Sequence, residues 1–165
     1  MRRNGVSIHE SIELIGRADV RSWLKLGTGS AIERDCTIWC AAEDGSEPSL
    51  TTGANVYVGR NSYLGAWKPI SIADDTLIGA YCYIISGDHQ FTARDVPLRL
   101  QGYKGAPIRI GRNVWLGAHV IVLAGVTIGD NAVIGAGSVV TSSIPNAEIW
   151  AGAPARRIRS VFPNP

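Results

Sequence analysis

The sequence predicts an all-β fold, a parallel β-helix of about six triangular coils. Three observations lead there. Apolar residues recur at every sixth position through most of the chain's 165 residues. That period matches neither the 2.0 of an amphipathic strand nor the 3.6 of a helix. Glycine is abundant, at 19 residues, and often follows the recurring apolar position directly, while Phe occurs twice. Two inward residues, then a corner, then the same again describe a short strand on one face of a prism. Three six-residue faces close one coil, and coils stacked ~4.8 Å apart satisfy each other's backbone groups.

Taken in order, the blocks open at Ile8, Leu14 and Val20; Leu26, Ile32 and Ile38; Thr52, Val58 and Leu64; Ile72, Ile78 and Ile84; Ile110, Leu116 and Val122; and Ile128, Ile134 and Val140. Thr52 alone is not aliphatic. The fifth place of each block is apolar or small, except at Lys68 and Asp88, which directly precede jumps in the frame. Six coils give a prism roughly 29 Å long. The jumps mark loops near Ala42–Leu50 and Lys68-Pro69, and a long loop at 86–109. A long irregular loop in a compact domain usually carries function. The chain is expected to be one domain, with the β-helix at 8–144, loop 86–109 inserted in it, and a tail at 145–165. In that tail Pro154 is expected to open a short helix across Ala155–Val161.

Composition removes several function classes. With 45% hydrophobic and 18% charged residues the chain is folded. A net charge of +2 gives no reason to expect a nucleic-acid partner. The basic start, Met1-Arg2-Arg3, has no apolar leader core behind it. The longest uncharged stretch, Val114–Gly129, is glycine-interrupted and shorter than a membrane span. A soluble, cytoplasmic protein without a membrane span is expected. Cys36, Cys40 and Cys82 read as small buried thiols, and Cys36-x3-Cys40 has no second ligand pair for zinc.

The blocks IGDNAV and IGAGSV and the tail GAPARRIR resemble the hexapeptide-repeat acyltransferases, most of all sugar and exopolysaccharide O-acetyltransferases of the maltose, galactoside and colanic-acid types. The resemblance is dense from Ile108 to Arg159. It implies a left-handed β-helix, a handedness that periodicity alone does not set. It also implies acetyl-CoA as donor without a metal, a small-molecule or glycan acceptor, and a homotrimer with its sites in the grooves between prisms. The repeat already begins near Ile8, which favours the shorter exopolysaccharide-type members.

His89 stands at the mouth of the long loop, in Ser86-Gly87-Asp88-His89. A sugar hydroxyl must lose a proton as it attacks a thioester, and histidine suits that role near neutral pH. The resemblance makes His89 the general base, and Asp88 is a candidate to orient its ring. The resemblance also places the pantetheine arm along Trp115, Ala118 and Ala136, then Thr141 and Ser142, with the phosphates at Arg156 and Arg159. Trp67 and Asp74, on coils just before His89, are acceptor-side candidates. His119 reads as a surface histidine on a coil edge. Alternatives are N-acetylation of an amino sugar or antibiotic, a γ-carbonic-anhydrase-like zinc enzyme, and a non-catalytic assembly protein.

Overall fold

The computed structural model describes residues 2–3, 5–16, 19–41 and 46–162. The chain winds through three parallel sheets that form the walls of a prism. On the first sheet Ile8, Ile32, Val58, Ile78, Leu116 and Ile134 are stacked in register, followed by Trp150. On the second, Leu14, Ile38, Leu64, Ile84, Val122 and Val140 align. The third stacks Thr52, Ile72, Ile110 and Ile128.

From Ile32 to Val140 these residues point inward, and all but Thr52 are buried. The fifth places line the inside of the corners. There Cys36 and Cys82 donate from Sγ to the carbonyls of Gly59 and Gly117, and Thr76 Oγ1 donates to Gly111. Burial pushes both thiols above their ordinary pKa. They are inert structural groups, as the sequence suggests.

The first coil departs from the expected frame. Ile8 pairs with Ile32 and Leu14 with Ile38, so six extra residues separate these two coils. A one-turn helix at Val20–Trp23 replaces the strand expected at Val20. Asp19 accepts the Arg21 N–H at its start, and Trp23 is fully buried at the end of the core. A bulky plug is worth more here than another strand, because among the described residues the third sheet ends at Leu24–Lys25 and offers nothing further to pair with.

The tail also differs from expectation. The helix expected across Ala155–Val161 is a strand, Arg156–Ser160, antiparallel to Glu148–Ala151. The repeat itself runs past Ile144, which bridges Ile128, into Glu148–Ala151 on the first sheet. A seven-residue helix is marginal alone. A returning strand satisfies the open edge of the last coil instead.

The insertions leave one edge. Residues 41–49, 67–69 and 86–107 all depart from the second sheet and return on the third. Residues 42–45 of the expected first loop lie outside the described residues. No helix among the described residues is long and apolar enough to cross a membrane.

Candidate active site

His89 closes a three-residue strand, Gly87–His89, that leaves the prism and pairs antiparallel with Tyr103–Gly105. Its cross-strand partner is Tyr103, and the two rings sit 4.2 Å apart. Tyr103 also stacks on Trp67 at 4.3 Å, and Trp67 meets Trp39 edge-on at 5.7 Å. His89 is therefore an exposed ring at the end of an aromatic stack rooted in the prism wall. Asp88 does not hold that ring. Its Oδ1 accepts the His89 backbone N–H at 2.8 Å, because a neighbour in an extended strand projects to the other side.

That other side is a groove. Asp88, Lys104, Gly105 and Ala106 from the loop face Ile85, Leu123, Ala124 and Thr141 from the prism, across a space of about 320 Å³. Thr141 thus joins Asp88 at the edge between the second and third sheets, and the exposed Ser142 follows it.

The other residues that the resemblance places on a pantetheine arm lie elsewhere on the chain. Trp115 projects from the outside of the first sheet, 55% exposed, in a row with Tyr57, Leu77, Val133 and Ile149. Ala118 and Ala136 follow at the edge between the first and second sheets, and Gly137 N–H donates to the Ala118 carbonyl at 2.9 Å. His119, next to Ala118, is exposed and stacks on Tyr81 at 4.9 Å. A single chain therefore divides the expected donor site between two edges of one prism.

The tail arginines belong with the first-sheet group. Arg156 pairs with Ala151 and Arg159 with Ile149, across a register shift that leaves Ile158 without a partner. Cross-strand partners share a side of the sheet, so this bulge puts Arg156 and Arg159 on the outer side with Ile149. Arg157 pairs with Trp150 and is bound to Glu148 at 2.7 Å. Arg156 and Arg159 bond only backbone carbonyls, of Ala155 and Ser160. Among the described residues they are cations without a carboxylate partner.

The two acceptor-side candidates are not brought together. Trp67 is 5% exposed, packed between Tyr103 and Trp39, so it supports His89 from within instead of presenting a face. Asp74 lies at the edge between the third and first sheets, where its Oδ1 accepts the Ala54 N–H at 2.7 Å. Its carboxylate ties two coils together. Tyr103 escaped the sequence reading because it sits outside the six-residue frame, fourteen residues beyond His89. An aromatic on the returning limb of the loop was the available signal.

Among the described residues no group of three His, Cys, Asp or Glu side chains is placed to hold a metal ion. The three histidines stand apart: His9 on the first coil beside Ser11, His89 on the loop, His119 at a far edge.

Comparison with known proteins agrees with the repeat. The family described as bacterial transferase hexapeptide (six repeats) matches residues 107–142. A Mycobacterium tuberculosis protein named "probable acetyltransferase" is 33% identical over 94% of this chain and 48% of its own length. The galactoside O-acetyltransferase of Escherichia coli is 42% identical over 66% of this chain and 56% of its own. The chain thus spans about half the length of these curated relatives. Among solved structures, a galactoside acetyltransferase in complex with coenzyme A is 30% identical, with a TM-score of 0.62 over 86% of this chain and 66% of that one. An N-acyltransferase from Bacillus cereus, solved with dTDP and coenzyme A, has a TM-score of 0.78 over 96% of this chain and 83% of its own. At 20% identity it speaks to the fold alone. The shared fold is the left-handed β-helix. By its repeat, its three-walled prism and these relatives, the chain belongs to the hexapeptide-repeat transferase family.

Proposed function

We propose that the protein transfers the acetyl group of acetyl-CoA to a hydroxyl of a sugar or polysaccharide precursor, with His89 as the general base. The observation that carries the reading is the exposed His89 ring, held on an aromatic stack at the mouth of the loop. The galactoside O-acetyltransferase relatives, one of them with coenzyme A, support donor and acceptor class.

In this reaction the imidazole takes the proton of the acceptor hydroxyl as its oxygen attacks the thioester carbonyl. The C–S bond breaks, the proton passes to the departing thiolate, and the products are an acetyl ester and free CoA. No covalent acyl-enzyme is required, since the cysteines are buried. Trp115, Ala118 and Ala136 line the path of the pantetheine arm. Arg156 and Arg159 meet the phosphates as charge-assisted partners. A CoA thioester as donor puts the reaction in the cytoplasm.

The division of the donor site between two edges calls for a second copy. The outer rows of the first two sheets are largely apolar, with Tyr57, Leu77 and Trp115 on one and Tyr63, Tyr83, Ile121 and Val139 on the other. The third presents Lys25, Thr51, Ser71, Arg109 and Thr127. A homotrimer with the second sheet toward its axis covers the apolar rows. It also sets the His89 edge of one copy beside the Ala118 edge of the next.

Calorimetric titration with acetyl-CoA tests the donor, and CoA release over a panel of neutral and charged sugars tests the acceptor. One molecule bound per chain is expected, with turnover that falls roughly 10²–10⁴-fold in His89→Ala while donor binding persists. A folded protein that does not bind acetyl-CoA would overturn the reading.

A further inference from the structure

The edge between the first and second sheets carries a row of equivalent positions: Arg34, Arg60, Ala80, Ala118 and Ala136. The first four carbonyls, from Arg34 to Ala118, each accept from the coil above, by way of Asn61, Tyr81, His119 and Gly137 N–H at 2.9–3.1 Å. The residue type changes along the row. Where the pantetheine arm is proposed to run, at Ala118 and Ala136, the side chains are methyl groups that leave the backbone open. Below Ala80 they become two arginines.

These arginines help to line a recess of about 320 Å³, together with Glu33, Tyr57, Gly59 and Ala80. Neither guanidinium has a side-chain hydrogen bond or ion pair among the described residues. Two like charges one coil apart, ~4.8 Å in rise, repel each other unless an anion lies between them. Glu33 is the single carboxylate on the wall of the recess, and it too has no ion pair among the described residues.

We infer that this recess binds the acceptor and that the acceptor is an anionic sugar, one bearing a phosphate or a carboxylate. The inference rests on the acetyltransferase reading, which sets the direction of the site. With the CoA phosphates at the tail arginines, the thiol end points down the row toward Ala80. Arg60 lies two coils below Ala118, roughly 10 Å. That distance is a sugar's reach from the thioester. The two guanidinium forks take the anion, and Glu33 and the Tyr57 hydroxyl take neighbouring sugar hydroxyls.

The test is calorimetric titration of the protein, saturated with CoA, using glucose 1-phosphate, glucuronate, methyl glucoside and inorganic phosphate in turn. At least one anionic sugar should bind about tenfold or more tightly than methyl glucoside. The phosphate and carboxylate arms show which anion is taken. Arg34→Gln/Arg60→Gln should lose about tenfold or more of that binding, with its unfolding transition and its acetyl-CoA titration unchanged. Equal binding of charged and neutral sugars, or none at all, would overturn the inference. So would an unaffected double variant, or inorganic phosphate binding as tightly as the sugar phosphate. Failure of wild type to bind acetyl-CoA is a different result, which overturns the transferase reading.

Discussion

Adding one methyl group at Gly87 should dislodge His89. A Cβ built there would lie 2.5 Å from both Cβ and Cγ of Trp67, and 2.9 Å from its Cδ1. Carbon atoms make contact at about 3.5 Å, so something must move by about 1 Å. Trp67 cannot retreat easily, because Trp39 and Tyr103 pack on it. The strand Gly87–His89 must therefore lift away, or the stack must break. Overpacking of this kind costs about 1–3 kcal/mol. For the proposed general base, a displacement of about 1 Å costs about 100-fold in turnover. Gly102→Ala is the control. Gly102 sits in the same loop at φ +75° with nothing within 4 Å, so a methyl there brings only left-handed strain, about 1–2 kcal/mol. The two variants should lose similar stability in urea unfolding. Only Gly87→Ala should lose turnover and alter the near-ultraviolet circular dichroism of the Trp67–Tyr103 stack. Unchanged turnover and an unchanged spectrum in Gly87→Ala would refute the claim that this packing positions His89.

Three further outcomes follow from the geometry. Ile84 is fully buried on the second sheet, and Ile84→Ala should destabilise the fold by about 2–5 kcal/mol in the same urea assay. Asp74→Ala removes the acceptor for the Ala54 N–H and should cost about 0.5–1.5 kcal/mol without raising the KM for the acceptor; a raised KM would return Asp74 to the substrate side. Glu148 is held below its ordinary pKa of 4.5, first by the hydrogen bond from the Trp150 indole and then by Arg157. A depressed carboxylate stabilises the fold fully above its unfolded pKa, and that contribution disappears as pH falls through the lower folded value. Stability measured downward from pH 4.5 should therefore fall more steeply in wild type than in Glu148→Gln, and parallel curves would count against the pairing.

Much of the fold was legible because its instructions are local and repeated. Each inward aliphatic from Ile32 to Val140 lies on the wall that its six-residue spacing assigns. The place of His89 was legible for a similar reason: it is a titratable residue where the frame breaks, and its ring is exposed at the mouth of the loop. The errors fall where the frame stops. Val20 obeys the period, but among the described residues the third sheet ends at Leu24–Lys25, so a helix and Trp23 plug the core there. At the tail, Pro154 and the short polar run beyond it suit a helix locally. The unpaired edge of Glu148–Ala151 outweighs that preference, because every backbone group paired there is one fewer left unsatisfied. Trp67 and Asp74 were grouped by nearness in sequence, but the third sheet separates them.

The sequence by itself determined the six-residue walls, the inward side chains and the places where insertions interrupt the frame, since each coil restates the same short-range pattern. Only the tertiary structure decided what meets whom across long separations. Tyr103 reaches Trp67 and His89, a bulge turns Arg156 and Arg159 to one side, and Arg34 and Arg60 align with Ala118. These contacts depend on how the coils stack and where a loop returns, and no local period encodes either.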